Sequence, residues 1–396
     1  MTNLTLRVGV VGLGWMGQVH ARAYTRVGQH YLDAPLRPEL VAVADTASDE
    51  RVARTAAAYG FSDVHADWRE LVERDDIDVV SITGPNFIHR DVAVAAARAG
   101  KHLWLEKPAG RDAGETAEIA EAVAAAGVQS AVGFNYRNAP AVELARSLVA
   151  EGRLGRVEQV RITMLADYAA HPEGALTWRY QNAWSGSGVL GDLVSHGVDL
   201  GRYVVGPAVG EIASLVADTA TFITERPALN GAAFAHTARG GGPLAPVENE
   251  DYAGALLAFA GGARGTLESS RVAVGEQCTY GIEVHGDRGA LAWDFRRMGE
   301  LRVCLDQQPT DAAYATRYVA PGDGELGAFQ PGSGIAMSYD DLKVVEAHRL
   351  VRSMAEGVPH GATITDALQA ARLVDGMATS ARERRWVDVA GPRVSA

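Results

Sequence analysis

Residues Val8–Gly17 read V-G-V-V-G-L-G-W-M-G, an apolar run that breaks into three glycines spaced G-x-G-x-x-G. The run up to Val11 predicts a strand and the pattern from Met16 to Arg26 a helix, so the glycines sit in a strand-to-helix turn. In such a turn Gly12 permits the tight bend, Gly14 lets the backbone approach a ligand, and Gly17 lets helix and strand pack closely. The helix start at Trp15 and Met16 offers N–H groups and partial positive charge to an anion. Together these features demand a parallel βαβ unit that cradles a pyrophosphate.

The next hundred residues extend that unit. Apolar strand-like runs at Leu6–Val11, Leu40–Ala44, Val79–Thr83, His102–Leu105 and Gln129–Val132 alternate with helical patterns such as Arg51–Tyr59, Arg69–Arg74 and Arg90–Arg98. This alternation predicts a doubly wound parallel sheet over residues 1–134. Asn86 is expected to cap the helix that begins near Phe87, and Gly100 to close it. Asp45, ending V-A-V-A-D, is the candidate to bond the adenosine ribose hydroxyls, which favours NAD over NADP. It lies further from the glycines than usual, a length assigned to an insert at Gly28–Glu39.

Beyond Phe134 the pattern changes. A helix at Pro140–Glu151 leads to a long strand, Val157–Ala166, and a polar loop containing W-R-Y-Q and W-S-G-S-G. β-Branched or alternating runs follow at Glu211–Ile223, Ala253–Phe259, Ala263–Ser270, Gly281–His285 and Leu301–Leu305. They predict an α+β domain over 135–396 with a large, mainly antiparallel open sheet, so that the chain as a whole is α/β. Two long loops, Pro227–Asn249 and Asp306–Tyr339, precede closing helices at Leu342–Glu356 and Thr365–Arg384 and a strand at Trp386–Val389.

Composition narrows the function classes. At 396 residues the chain exceeds one ordinary core, and a net charge of −12 opposes nucleic-acid binding. No apolar run reaches the roughly 20 residues that cross a bilayer, and the N-terminus lacks the pattern of an export signal. A cytoplasmic location with no membrane partner is therefore expected. Cys278 and Cys304 form neither a disulfide framework nor a zinc cluster and read as buried free thiols.

Three residues carry the expected chemistry. Lys107, in L-E-K-P at the end of the strand His102–Leu105, can stabilise negative charge developing on a reacting oxygen. Asp192 and His196 are i, i+4 on a predicted helix, in G-D-L-V-S-H, and so share a face. A histidine's ordinary pKa near 6.5 suits a general base, which Asp192 could orient. No further Cys/His pattern completes a ligand set, so no metal is expected.

The glycine turn, Glu106–Pro108 and Gly191–His196, in this order, resemble the glucose–fructose oxidoreductase/inositol dehydrogenase family over essentially the whole chain. The resemblance implies a Rossmann domain, a second domain whose sheet builds the oligomer interface, and a nicotinamide cofactor. It matches Lys107, Asp192 and His196 to the family's catalytic residues. Thr83–His89 resembles its loop beside the nicotinamide, which makes Thr83, Pro85, Asn86 and His89 cofactor candidates together with Glu106 and Lys107. Gly133–Arg137 resembles its domain junction, and Tyr136 joins Lys107, Trp178, Arg179, Asp192 and His196 as substrate candidates.

Within the family, the long polar loops and L-T-W-R-Y-Q (Leu176–Gln181) look most like the levoglucosan dehydrogenase branch. A sugar or cyclitol substrate and a homodimer or homotetramer are expected. A ketosugar reductase of nucleotide-sugar biosynthesis and a nicotinamide- and sugar-sensing regulator are the rival readings.

Overall fold

The computed structural model describes residues 4–47, 50–229, 240–305 and 311–389. The chain falls into two compact units, residues 1–135 with 337–369 and residues 136–336 with 370–396.

The first unit is built on a parallel sheet of β1 (Leu4–Val11), β2 (Leu36–Ala44), β3 (Asp63–His65), β4 (Val79–Ile82), β5 (His102–Leu105) and β6 (Ser130–Val132). Their order is β3-β2-β1-β4-β5-β6. The strands are near-continuous apolar runs because helices cover both faces of such a sheet, and Val8, Val10, Val79, Val80, Ile82 and Leu103 are buried. The order reverses between β1 and β4, which places the loops after these two strands at the crevice where doubly wound sheets take ligands.

Local expectations shift by a residue or two. Pro85 rather than Asn86 is the N-cap of the helix Asn86–Arg98, because its extended φ and ψ (−65°, 151°) end the loop. Gly100, at φ 75°, follows that helix as expected. The insert Gly28–Glu39 is not a free loop. The first helix runs on to His30 and β2 begins at Leu36, where it pairs with Leu4. The helix Tyr339–Glu356, expected in the second domain, belongs to the first unit, where it packs on the helix Trp15–His30.

The second unit carries β7 (Val157–Leu165), β8 (Ile212–Ala220), a hairpin of β9 (Glu225–Pro227) and β10 (Leu244–Pro246), then β11 (Tyr252–Phe259), β12 (Arg264–Ser270), β13 (Thr279–Gly286), β14 (Gly289–Asp294), β15 (Glu300–Leu305), β16 (Ala315–Tyr318) and β17 (Val387–Asp388). Nine of these form one sheet, ordered β16-β15-β14-β13-β7-β12-β11-β8-β17. Every pairing is antiparallel except β7 with β12, which is parallel. The helix Ser195–Val209 lies on this sheet. A Cβ on Gly197 would stand 3.1 Å from Ile162 and Met164, and one on Gly201 2.6 Å from Ile162, so the two glycines set how closely the helix approaches.

Both long loops contain structure the sequence did not announce. The β9–β10 hairpin includes Pro227 and β16 falls within the second loop, while 230–239 and 306–310 lie outside the described residues. The cysteines also depart from expectation. Cys278 is exposed, at φ 54°, because it occupies the turn into β13, and Cys304 is half-buried in β15. Among the described residues no helix is long and apolar enough to cross a membrane.

Candidate active site

The three glycines of the first turn have three distinct surroundings. Gly12 has φ 93°, and a Cβ there would meet the Gly84 backbone at 2.8 Å, so the loops after β1 and β4 touch at this point. A Cβ on Gly17 would stand 2.0 Å from the Gly12 carbonyl oxygen. A Cβ on Gly14 would meet nothing within 4 Å, which leaves open on that side the space a pyrophosphate would fill. Gly14 is the N-cap of the helix Trp15–His30, with no side-chain cap and no acidic residue in the first turn. A dinucleotide fits these residues: the helix start is open, uncapped and bordered by glycine.

Other cofactor candidates brace the turn. The Thr83 hydroxyl donates to the Gly12 carbonyl at 2.6 Å. Asp45, just beyond β2, accepts from the Leu13 N–H at 2.8 Å and the Ala47 N–H at 2.9 Å, which brings its carboxylate beside the glycine turn. Trp15 is 66% exposed and stacks on Tyr339 with ring centroids 5.5 Å apart, and the Tyr339 hydroxyl lies 3.8 Å from the Met16 sulfur.

Two further candidates are buried. His89 is buried, its Nδ1 2.9 Å from the Pro108 carbonyl oxygen and its Nε2 2.9 Å from that of Gly84. It ties the loop after β4 to the segment after β5. Burial lowers its pKa against the pull of the two carbonyls.

Glu106 is likewise buried, because Lys343 from the helix Tyr339–Glu356 reaches its Oε1 at 2.5 Å. Lys343 also donates to Glu346 Oε1 at 2.9 Å, and the Trp104 indole N–H to the same oxygen at 2.6 Å. His20 Nε2 lies 3.1 Å from Glu106, with the His20 ring stacked on Trp104 at 3.6 Å. Burial works to raise the Glu106 pKa, but the Lys343 ammonium and the His20 contact hold it below the ordinary range. Burial pushes Glu346 up to about 7 and His20 down to about 4. Glu106 therefore anchors the strand end from which Lys107 and Pro108 continue.

In the second unit Asp192 and His196 do not share one regular α-helix. Leu190–Val194 forms a wider π turn that passes into the helix Ser195–Val209. Such turns recur at functional positions and displace a side chain around the axis. The Ser195 hydroxyl donates to the Gly191 carbonyl at 2.7 Å inside this turn. His196 is buried, with the Tyr136 ring centroid 4.7 Å away, and Tyr136 packs in turn on Phe295 and Tyr280. Tyr136 thus joins the histidine's aromatic wall.

Sequence reasoning missed Tyr168. Its hydroxyl donates to Asp192 Oδ2, and burial together with the Asp192 charge pushes its pKa well above the ordinary value. Only the fold brings these residues together, since Tyr168 follows β7 with no local signal. Arg179 stacks on Trp178, the guanidinium carbon 4.3 Å from the ring centroid. Burial lowers its pKa, opposed by the charge of Asp192. Tyr180, one residue on, is clamped between the guanidinium groups of Arg226 and Arg271, at 4.4 and 4.7 Å. Trp178, Arg179, Tyr168 and Asp192 are thus gathered in one region of this unit.

Comparisons with known proteins identify the family. Residues 6–134 match a family described as oxidoreductase, NAD-binding Rossmann fold, and residues 142–292 match the GFO/IDH/MocA C-terminal domain. The chain is 36% identical to levoglucosan dehydrogenase of Pseudarthrobacter phenanthrenivorans, over 99% of each chain. It is 30% identical to inositol 2-dehydrogenase of Rhizobium meliloti, over 89% of this chain and 98% of the relative. A solved levoglucosan dehydrogenase in complex with NADH and L-sorbose superposes with a TM-score of 0.91 at 34% identity, covering 98% of this chain and 100% of that one. The chain belongs to the GFO/IDH/MocA family of NAD-binding oxidoreductases.

Proposed function

We propose that this protein oxidises one secondary ring hydroxyl of a neutral sugar, anhydrosugar, glycoside or cyclitol to a ketone, with NAD as cofactor. The observation that carries this reading is the grouping of Tyr168, Arg179 and Asp192 beside the Trp178 ring, in the unit that holds His196. An aromatic face suits the apolar side of a pyranose or cyclohexane ring, and the charged and hydroxyl groups suit its ring hydroxyls. Relatives named for levoglucosan and inositol, and a solved relative holding NADH and L-sorbose, support the same substrate class.

In this reading residues 1–134 bind the cofactor and supply Lys107, and residues 135–396 bind substrate. NAD, held at the glycine turn by Gly12, Gly14, Gly17 and the helix start at Trp15, would supply the hydride acceptor, while His196 would take the hydroxyl proton as the carbinol C–H and O–H bonds give way to C=O. Lys107 donates a hydrogen bond to the oxygen as negative charge grows there, and Asp192, held by Tyr168, orients the substrate or the imidazole.

The test is a spectrophotometric screen of NAD and NADP reduction across sugars, anhydrosugars, glycosides and inositols, with NMR of the product. A ring ketone is expected. A lactone would defeat the ring-ketone assignment, and activity confined to nucleotide sugars would defeat the substrate class. NAD should be preferred more than tenfold, because the Asp45 carboxylate would face the extra phosphate of NADP. Two unit charges 4 Å apart repel by about 4 kcal/mol at an effective dielectric of 20. Equal efficiency with both cofactors would show that the carboxylate turns away.

The nine-stranded sheet presents an outer face on which Leu256 is 52% exposed, and a second copy of the chain is proposed to cover it as a homodimer or homotetramer. Light scattering at micromolar protein checks this, and a monomer would refute it.

A further inference from the structure

Glu248–Asp251 reads E-N-E-D, and in the second unit these four consecutive residues hold the backbone of two segments at once. One is the loop with Trp178 and Arg179, and the other is the start of the helix with Asp192 and His196.

Glu250 takes three successive N–H groups at that helix start. Its Oε1 accepts from Gly188 at 2.8 Å and Leu190 at 2.9 Å, and its carbonyl oxygen accepts from Val189 at 3.0 Å. A Cβ on Gly188 would stand 2.2 Å from the Glu250 carbonyl oxygen, so this approach requires glycine in S-G-S-G. A carboxylate there satisfies donors that a helix N-terminus otherwise leaves open, and it opposes the dipole's positive end.

Asn249 holds the other segment. Its amide N–H groups donate to the Arg179 carbonyl at 2.8 Å and to the Ser185 hydroxyl at 3.0 Å, and its Oδ1 accepts from Arg271 at 2.8 Å. Glu248 adds the Asn182 N–H at 2.8 Å. Asp251 fixes the whole segment: it pairs with Arg271 at 2.8 Å and accepts from the N–H groups of Phe222 and Ile223 at 2.9 and 3.0 Å. Asn249, Asp251 and Arg271 are 3%, 0% and 2% exposed, so water does not compete for these bonds.

We propose that Glu248–Asp251 is the positioning element of the candidate substrate site, with Asn249 setting the Trp178–Arg179 loop and Glu250 setting the turn that bears Asp192 and leads into the helix with His196. This rests on the proposed function. Its consequence is a division of effect. Asn249 governs how well substrate is held, and Glu250 governs how well the proton-transfer groups are aimed, because misplacing a reacting group by about 1 Å can cost on the order of 100-fold.

Asn249→Ala should raise the KM for the ring polyol about tenfold with little change in kcat, the loss of bonds to a carbonyl and a guanidinium. Glu250→Ala should lower kcat about tenfold with little change in KM. Glu250→Gln retains an acceptor oxygen for both N–H groups and should recover most of that loss. NADH affinity, read by fluorescence titration, should not move in any variant.

Amide hydrogen exchange supplies a readout that needs no substrate. Both alanine variants should speed exchange within residues 177–190 and leave the first unit unchanged. Exchange unaltered at 177–190, or raised throughout the protein, would overturn the proposal. So would parallel changes in kcat and KM in both variants, or Glu250→Gln behaving like Glu250→Ala. A wild-type enzyme inactive on every ring polyol would sink the functional reading alone, and the exchange result would still judge the positioning element.

Discussion

Lys107→Ala and His196→Ala are each expected to lower turnover by roughly 10²–10⁴-fold, the usual loss when a positioned acid–base group is removed. NADH affinity should change by no more than a few-fold. The glycine turn, Asp45 and the Thr83 hydroxyl are untouched by either substitution, and His196 is in the second unit. Stopped-flow turnover and NADH fluorescence titration give the two quantities separately. Near-normal turnover in either variant would remove that residue from the mechanism. A parallel loss of cofactor binding would make Lys107 a cofactor ligand first.

The second large effect lies beneath the E-K-P segment. Lys343→Met should destabilise the first unit by about 3–5 kcal/mol, because removing one member of a buried ion cluster leaves its partners as uncompensated buried charges. Lys343 is fully buried between Glu106 and Glu346. Burial alone would lower its pKa, but the two carboxylates outweigh that and raise it. Urea denaturation measures the loss, and a change below about 1 kcal/mol would mean that water or another cation reaches the carboxylates.

The same cluster gives a dependence on pH. Glu346 has a folded-state pKa pushed up to about 7 by burial, from an ordinary value of 4.5, even though Lys343 and the Trp104 indole favour its charge. The groups around it are Lys343, Glu106, Trp104, Tyr24 and, through Glu106, His20. A pKa raised on folding means the unfolded chain releases this proton first. Its contribution to stability is therefore present below pH 4.5 and is lost as pH rises from 4.5 through 7. Glu346→Gln should flatten that decline. Identical pH profiles for the variant and the wild type would show that another group titrates there.

These two results bear on different kinds of legibility. Lys107 and His196 stand in short motifs beside a recognisable strand end and helix, so residue order alone nominates them. Lys343 offers no such sign. In D-L-K-V-V-E it reads as an ordinary charge on an amphipathic helix, and 237 residues separate it from Glu106. Glu106, which the family resemblance makes a cofactor candidate, has Lys343 as its buried partner. The same holds for His89: its two acceptors, Gly84 and Pro108, follow different strands.

The sequence by itself determined the glycine turn, the alternation that makes the parallel sheet, and the family. Each is written in local spacing: glycines at one turn, apolar runs of strand length, and helical periods between them. Asp45 belongs here too, since its place at the end of a strand is a property of one segment. Only the tertiary structure decided the order of the nine-stranded sheet, the burial of Glu106 and Lys343, the Tyr168–Asp192 bond, and the grip of Glu248–Asp251 on two distant segments. The physical reason is common to all four. An alternating strand has the same pattern whichever neighbour it pairs with, and a polar residue has the same letter whether solvent or a distant backbone satisfies it.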